Sequence, residues 1–268
     1  MFQRIITGTI LVLLVAIFIW LPCLRILLAL FITTLGTIAA WEYFHIVEPV
    51  NWNILSLTTM VLVPITILSG LSQKLITVYM FFIFSFIVLC ILYTLNRTTS
   101  ISKFVHAFFG LFYFGWVPAH LLILHRNSAG PGLITLFITA VVLCDSGAFF
   151  VGRTIGKHAL APEISPKKTW EGSIGGVIFC VLGTFILWAL HKTIFTQALP
   201  EQNIIFYLKW GIILSILSQF GDLLESRWKR EAGIKDSGRI FPGHGGVLDR
   251  CDGMLFSFPF FFYFLKWL

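Results

Sequence analysis

TVYMFFIFSFIVLCILYTL, residues 77–95, contains no charged side chain and is rich in phenylalanine, isoleucine and leucine. A helix needs roughly 17–25 apolar residues to cross the hydrocarbon core of a bilayer. The run therefore predicts a transmembrane helix. It also governs the interpretation of the whole chain, because similar runs recur on both sides of it.

The recurring apolar runs predict an all-α polytopic integral membrane protein with about nine transmembrane helices. The predicted spans are 5–21, 24–44, 54–71, 77–95, 105–124, 133–152, 173–191, 204–222 and 252–268. We interpret the first span as a retained anchor rather than a signal peptide, because it has no small-residue cleavage site and further spans follow it.

The composition agrees with this fold class. Hydrophobic residues make up 57% of the 268 residues, charged residues make up only 12%, and the mean hydropathy is +0.91. Soluble domains carry about 25% charged residues, so the composition excludes an ordinary soluble domain. The five cysteines are scattered without CxxC spacing, which indicates neither a zinc site nor a disulfide framework.

The distribution of positive charge predicts the orientation. With the N-terminus in the cytoplasm, thirteen lysines and arginines fall on the cytoplasmic side and five on the opposite side. The two polar loops, 153–172 and 223–251, then both face the cytoplasm, where nucleotides are found. The net charge of +7 either reflects this ordinary loop bias or favours anionic lipids and substrates. We expect no nucleic-acid partner.

The chain divides functionally near residue 130. Residues 1–130 contain about five predicted spans with short loops, and we interpret them as a scaffold that faces lipid. Residues 131–268 contain both polar loops and ten of the twelve acidic residues. This second half is therefore the predicted catalytic region.

One polar stretch contains most of the candidate catalytic residues. KDSGRIFPGHGGVLDRCDG, residues 235–253, interrupts the apolar sequence and includes five glycines. Pro242 excludes a regular helix, and Gly245 and Gly246 allow backbone N–H groups to converge on an anion. With the cations around it, this turn predicts a polyphosphate site rather than an ordinary turn. The candidates in and just before the stretch are Lys229, Arg230, Lys235, Asp236, Arg239, His244 and Arg250.

A first group of acids stands where the eighth span ends. In SQFGDLLESRWKR, residues 218–230, the side chains of Gln219, Asp222, Glu225 and Ser226 share one helical face. A carboxylate at a membrane boundary costs free energy unless it is paired or solvated. Asp222 is therefore either part of a polar helix end or a metal-binding and catalytic residue, with Ser226 close to the substrate.

A second group of acids opens the last span. Asp249 and Asp252 lie three residues apart in LDRCDG, residues 248–253. Acids are favoured at a helix N-terminus, so capping explains one of these aspartates well and two less well. Two helix ends that offer carboxylates on the same membrane face could instead hold Mg²⁺, which takes one or two carboxylates together with substrate phosphate oxygens.

Three further residues are candidates for substrate binding. Lys167 and Lys168, in ISPKKTWEGSIGG at residues 164–176, either meet a lipid phosphate at the interface or only mark the topology. Asp145 lies inside the sixth span, where an ionisable group indicates function unless it pairs with Lys209.

The segment around the two lysines also carries structural signals. Ser165 and Pro166 predict the start of a helix. Gly172 and Gly176, four residues apart, predict close packing against a neighbouring helix.

SRWKREAGIKDSGRIFPGHGGVLDRCD, residues 226–252, resembles the signature of the phosphatidate cytidylyltransferases, also called CDP-diacylglycerol synthases. DSGAFFVGRTIGKH and ISPKKTWEG resemble other characteristic segments of this family, so matching motifs cover about residues 140–253. Phe149, Trp228 and Cys251 depart from the usual residues, but these changes leave every charged position intact.

The resemblance implies that CTP and phosphatidate react to give CDP-diacylglycerol and pyrophosphate. It also implies dependence on Mg²⁺, a multi-helix membrane fold and a homodimer. Asp222 and Asp249 match the family's metal-binding aspartates, and the resemblance also allows a second, monovalent cation such as K⁺ beside the Mg²⁺. Because the chain has no transit signal, the expected location is a bacterial inner membrane, with the active site facing the cytoplasm.

Two other functions fit parts of the sequence. A CTP-dependent polyprenol or lipid kinase would use similar polar residues and release CDP, but the long signature argues against it. A transporter with an acidic ion path would place acids at mid-depth in several spans, whereas most acids here gather at one interface.

Overall fold

The computed structural model describes residues 13–49, 52–72, 74–193, 199, 201–238, 240 and 245–265. These residues are almost entirely helical, which confirms an all-α integral membrane protein. Seven helical segments within the described ranges are long and apolar enough to cross a bilayer. They are Pro22–Val47, Ile54–Ser72, Leu75–Leu95, Ile101–Arg126, Gly130–Ile155, Trp170–His191 and Ile204–Glu231.

The other two predicted spans fall at the ends of the chain. Residues 13–20 are helical, but residues 5–12 of the first predicted span lie outside the described residues. The last helix, Leu248–Phe264, has 17 residues and is shorter than the seven candidate spans. The count of nine spans and the cytoplasmic N-terminus stay predictions.

After the helical residues 13–20, the described part of the chain contains nine α-helices and two strands in chain order. The helices are α1 Arg25–Val47, α2 Ile54–Ser69, α3 Leu75–Leu95, α4 Ile101–Gly110, α5 Val117–Arg126, α6 Gly130–Ile155, α7 Trp170–Thr193, α8 Ile204–Glu231 and α9 Leu248–Phe264. The strands are β1 Ala159–Ala161 and β2 Ser165–Thr169. Short 3-10 turns precede α1 and follow α2, and a π-helical turn, Leu111–Trp116, joins α4 to α5.

The chain forms two compact units. The first contains the residues up to Arg126 together with Ala232–Cys251, and the second contains Asn127–Glu231 and Asp252–Leu268. The polar loop after α8 therefore belongs to the same unit as the N-terminal helices. The functional division near residue 130 stays a prediction.

Apolar side chains from several helices fill the first unit. Helix α2 packs against α1, α3, α4 and the π-helical turn. Leu55, Leu89 and Leu111 are fully buried among these elements. Phe44 on α1 is also fully buried and lies beside Gly110, where an added Cβ atom would be 3.0 Å from its ring. These contacts fix α1, which carries a buried acid, Glu42, described below.

Glycines bring two helices of the second unit together. A Cβ atom added at Gly176 on α7 would lie 2.9 Å from the Cys144 carbonyl oxygen on α6. A Cβ atom added at Gly172 would lie 2.8 Å from the Ala148 carbonyl oxygen. The predicted packing role of both glycines is confirmed.

Replacing Gly176 with valine is expected to destabilise the protein by about 1–3 kcal/mol, the usual cost of overpacking. The added side chain would have to displace the backbone of α6 at Cys144. Thermal unfolding in detergent measures the effect. Ile178→Val, at an exposed position of the same helix, is the control and should leave the midpoint nearly unchanged. Equal midpoints for the two variants would contradict the packing role.

A two-stranded antiparallel sheet interrupts the helical pattern between α6 and α7. Ala159 pairs with Thr169, and Ala161 pairs with Ser165. The prediction that Ser165 and Pro166 start a helix is therefore wrong, because the backbone of this segment pairs with β1. Helix α7 begins at Trp170 instead, and the Gly172 N–H donates a hydrogen bond of 3.1 Å to the Thr169 hydroxyl.

Helix α8 extends beyond the predicted span. It has 28 residues and runs to Glu231, whereas the predicted span ends at 222. At 1.5 Å per residue its length is about 42 Å, which exceeds the roughly 30 Å of a hydrocarbon core. The first part of the predicted loop 223–251 is therefore helical, and it holds the polar face of SQFGDLLESRWKR rigidly.

Candidate functional site

Three carboxylates meet in the second unit, and we refer to Asp222, Glu225 and Asp252 as the carboxylate cluster. One oxygen from each lies within 4.8 Å of the others. Asp222 and Glu225 lie one turn apart on α8, whereas Asp252 comes from α9. Glu225 and Asp252 are buried, and Asp222 is partly exposed. The structure thus brings two of the predicted aspartates together and adds Glu225.

A glycine allows the two helices to approach each other at the cluster. A Cβ atom added at Gly221 would lie 2.6 Å from the Asp252 carbonyl oxygen and 2.7 Å from the Phe256 Cβ atom. The backbone of α9 therefore packs directly against α8 at this position. Asp222 follows Gly221 in the chain, so this contact places it beside Asp252.

Two lysines pair with the carboxylate cluster. Lys168 Nζ lies 2.6 Å from Asp222 Oδ2, and Lys229 Nζ lies 2.7 Å from Glu225 Oε2. Lys229 is buried, as is its partner Glu225. When all five groups are ionised, three negative charges face two positive ones, which leaves one net negative charge. A buried net charge is costly unless a counter-charge offsets it. The remaining negative charge therefore favours the binding of a further cation.

The two adjacent lysines of β2 have different surroundings. Successive side chains of a strand point to opposite sides. Lys168 accordingly reaches Asp222, whereas Lys167 is exposed. Both lysines were predicted to bind substrate, and the structure brings only Lys168 to the cluster.

The hairpin that carries Lys168 is anchored on both sides. Glu171 Oε2 accepts hydrogen bonds from the backbone N–H groups of Lys157 and His158, at 3.1 and 3.2 Å. Its other oxygen lies 2.6 Å from His158 Nδ1. On the other side, Arg230 Nε donates a hydrogen bond of 3.0 Å to the Ile164 carbonyl oxygen. These contacts hold β2 where Lys168 meets α8.

Two more predicted residues border the cluster. Ser226 Oγ donates a hydrogen bond of 3.5 Å to Asp222 Oδ1. Asp145, on α6, is exposed and close enough to Asp252 for an electrostatic interaction. The second unit therefore gathers predicted residues from α6, β2, α8 and α9 around the carboxylates.

Asp249 belongs to the first unit, where it contacts the loop that precedes α9. Its Oδ2 atom accepts hydrogen bonds from the backbone N–H groups of Ser237, at 3.1 Å, and Gly246, at 2.8 Å. Both donors precede α9, which begins at Leu248, so these bonds do not show the capping alternative for Asp249. Its role as a metal ligand stays a prediction. The Gly246 N–H, predicted to face a substrate anion, donates to this carboxylate because the two residues are only three apart.

The remaining candidates are also on this loop. Gly245 has a φ of +86°, in the left-handed region that favours glycine. Lys235, Asp236 and Arg250 are exposed. Arg239 and His244 lie outside the described residues, so their predicted contacts with CTP stay predictions.

Glu42 is a residue that sequence reasoning missed. It lies in the predicted span 24–44, it is fully buried, and it contacts the loop after α8. The signal was present, because an acid within a span indicates function by the reasoning applied to Asp145.

A family model described as "Cytidylyltransferase family" matches residues 2–268. The chain belongs to this family. The resemblance seen in the sequence is therefore confirmed. The quoted motifs contain Lys168, Lys229 and Asp252, and Asp222 and Glu225 lie just before the motif that begins at Ser226.

Curated bacterial proteins with the name phosphatidate cytidylyltransferase are similar to this chain. The Bacillus subtilis protein is 43% identical over 148 residues, which cover 54% of this chain and 52% of the relative. The Haemophilus influenzae protein is 44% identical over 140 residues, 52% of this chain and 48% of the relative. A Staphylococcus epidermidis protein is 40% identical over 176 residues, which cover 65% of this chain and 64% of the relative. The chain spans about half the length of the first two relatives that it matches.

Proposed function

We propose that the protein transfers the cytidylyl group of CTP to phosphatidate and produces CDP-diacylglycerol and pyrophosphate. Its family membership and the names of its relatives support this reaction. The observation that carries the proposal is the carboxylate cluster with its two paired lysines. A reaction between two polyanions depends on such groups, because positioning and charge neutralisation supply most of the catalysis.

Mg²⁺ fits the carboxylate cluster. It prefers oxygen ligands and is usually bound by one or two carboxylates together with substrate phosphates. We assign Asp222 to this cation because its carboxylate is partly exposed, with Glu225 and Asp252 beside it. Asp249 stays the second predicted ligand, and K⁺ stays the predicted monovalent cation. When bound, Mg²⁺ would neutralise negative charge on the nucleotide phosphates.

The proposed transfer needs no dedicated general base. An oxygen of the phosphatidate phosphate forms a bond to the α-phosphorus of CTP, and the bond from that phosphorus to the β-phosphate oxygen breaks. A phosphomonoester has a second pKa of about 6, so much of the acceptor is already a dianion near neutral pH. The protein therefore has to orient the two substrates and to stabilise charge on the leaving pyrophosphate.

The chain's cations suit these tasks. We assign Lys168 and Lys229 to phosphate groups that approach the carboxylate cluster, since both lysines already lie beside it. The cations that follow Lys229 in the sequence are assigned to the phosphates of CTP, and Asp236 stays a further candidate for a catalytic residue. These residues are Arg230, Lys235, Arg239, His244 and Arg250.

The substrates define where the reaction takes place. CTP is water-soluble, whereas the acyl chains of phosphatidate remain in the hydrocarbon. We therefore propose that the polar residues face the cytoplasm from a bacterial inner membrane, in agreement with the predicted charge bias. The homodimer implied by the family is part of the same proposal.

Replacing Lys168 with methionine is expected to lower kcat/KM for phosphatidate by about 10²-fold, the scale of losing one electrostatic stabiliser. Lys167→Met is the matched control, because Lys167 precedes it on the same strand and is exposed. Its kcat/KM should change by less than about threefold, as expected for a surface charge. Initial rates in mixed micelles with varied phosphatidate measure both. Equal losses in the two variants would contradict the role of Lys168.

Purified protein in detergent, with labelled CTP, phosphatidate and Mg²⁺, tests the proposed function. Labelled cytidine in the lipid fraction with an equal amount of pyrophosphate is the expected result. CDP in the aqueous phase, with a polyprenol phosphorylated in place of phosphatidate, would favour the kinase. No turnover with either acceptor, in protein that unfolds cooperatively, would overturn both enzymatic functions.

A further inference from the structure

Glu42 links helix α1 to a segment about 200 residues further along the chain. Its Oε2 atom accepts hydrogen bonds from the Ser237 hydroxyl, at 2.9 Å, and from the Leu248 N–H, at 2.8 Å. Its Oε1 atom accepts a hydrogen bond of 3.0 Å from the Val247 N–H. Glu42 is fully buried, and all of these residues belong to the first unit.

These bonds give Glu42 the function of a helix cap supplied by another helix. Helix α9 begins at Leu248, and the first N–H groups of a helix have no partners within it. A carboxylate at this position also interacts favourably with the helix dipole. Glu42 therefore fixes the point where the loop ends and α9 begins.

Glycines let the loop lie directly on this carboxylate. A Cβ atom added at Gly238 or at Gly246 would collide with the carboxylate oxygens of Glu42. The Asp249 carboxylate accepts hydrogen bonds from the Ser237 and Gly246 N–H groups of the same loop. The two carboxylates thus hold together the ends of the segment between Ser237 and Gly246.

We propose that Glu42 is a positioning residue for the two described ends of the glycine-rich loop, residues 232–238 and 245–247, and that these ends set the geometry with which the loop binds the phosphates of CTP. The inference rests on the proposed function, because that function makes CTP the ligand of the loop. Glu42 acts through the loop backbone and is not a catalytic residue. The N-terminal helices therefore contribute to nucleotide binding as well as forming a scaffold.

Replacing Glu42 with glutamine tests the proposal. The amide keeps the size of the side chain but turns one acceptor into a donor that faces N–H or O–H donors. We expect the KM for CTP to rise about tenfold or more, the scale of losing a hydrogen bond to a charged group. The KM for phosphatidate should change by less than about twofold. Ser237→Ala, which removes a single donor, is the milder second variant and should raise the KM for CTP by a smaller factor.

Glu48→Gln is the matched control. Glu48 is also a buried acid, one residue beyond α1, but its carboxylate accepts hydrogen bonds from Asn53 and Ser56 at the start of α2. It should leave the KM for CTP unchanged, whatever it does to stability. An unchanged KM for CTP in Glu42→Gln, or equal changes for both substrates, would overturn the proposal.

Limited trypsin digestion separates this inference from the proposed function. Lys235 is the trypsin site in the described part of the loop, and cleavage there requires a free backbone. In membranes without substrate, Glu42→Gln should be cut there faster than the wild type and Glu48→Gln. Equal rates for all three would overturn the positioning role. Faster cleavage in a protein without cytidylyl transfer would retain the anchoring of the loop and reject only the proposed function.

Discussion

Replacing Asp222 with asparagine is expected to lower kcat by about 10³-fold, with the fold retained. The reason is the position of its carboxylate, which lies with those of Glu225 and Asp252 and pairs with Lys168 at 2.6 Å. Asparagine keeps the shape of the side chain but removes the charge that pairs with this lysine and that we propose binds the cation. Single-turnover rates at saturating CTP measure the chemical step directly.

A matched control for this experiment lies on the same helix. Glu231→Gln removes a carboxylate that pairs only one turn away with Arg227, and both side chains are well exposed. Exposed pairs of this kind contribute about 0–1 kcal/mol, so the control should keep nearly all of its activity and stability. If Asp222→Asn turned over as fast as Glu231→Gln, Asp222 would not hold the catalytic cation.

Replacing Asp249 with asparagine should also reduce turnover by about two to three orders of magnitude while the protein remains folded. Two effects combine in this variant. The predicted metal ligand is lost, and the loop loses the charged acceptor for the Ser237 and Gly246 N–H groups. A turnover rate close to that of the wild type would rule out the metal assignment.

Titration with Mg²⁺ distinguishes the two roles of Asp249. If the carboxylate binds the cation, the Mg²⁺ concentration for half-maximal rate should rise strongly in Asp249→Asn. If it only anchors the loop, the KM for CTP should rise at saturating Mg²⁺ while the half-maximal concentration stays the same. Glu42→Gln provides the reference for the second pattern, since the hydrogen bonds of its carboxylate to described residues all come from the loop and the start of α9.

The transmembrane helices could be predicted because hydropathy is a local property. The run 77–95 became α3, Leu75–Leu95, with a shift of only two residues. The face shared by Asp222, Glu225 and Ser226 was likewise predictable, because three- and four-residue spacing on a helix needs no tertiary information. The predicted end of the eighth span at residue 222 was wrong, because the polar residues after it suggested a loop although the helix continues to Glu231.

The sequence could not show which distant residues contact each other in the folded protein. Nothing local indicates that Asp252 meets Asp222 through Gly221, or that Lys168 rather than Lys167 reaches it. The hairpin was missed because Ser165 and Pro166 also suit a helix start, and the pairing with β1 decided between the two. Glu42 could have been flagged as an acid within a predicted span, but its partners could not have been named, because they follow about 200 residues later and a single sequence contains no signal for such a contact.

The separation of Glu42 from its partners has a consequence during synthesis. Its hydrogen-bond donors follow it by 195 to 206 residues. At about 5–20 residues per second, roughly 10–40 s pass between the translation of α1 and that of Ser237. Throughout this interval the carboxylate must remain in water at the membrane surface or carry a proton, because an unpaired charge within lipid is costly. The hydrogen bonds of Glu42 therefore form among the last steps in the assembly of the first unit. A nascent chain that ends before residue 237 lacks the donors for these bonds.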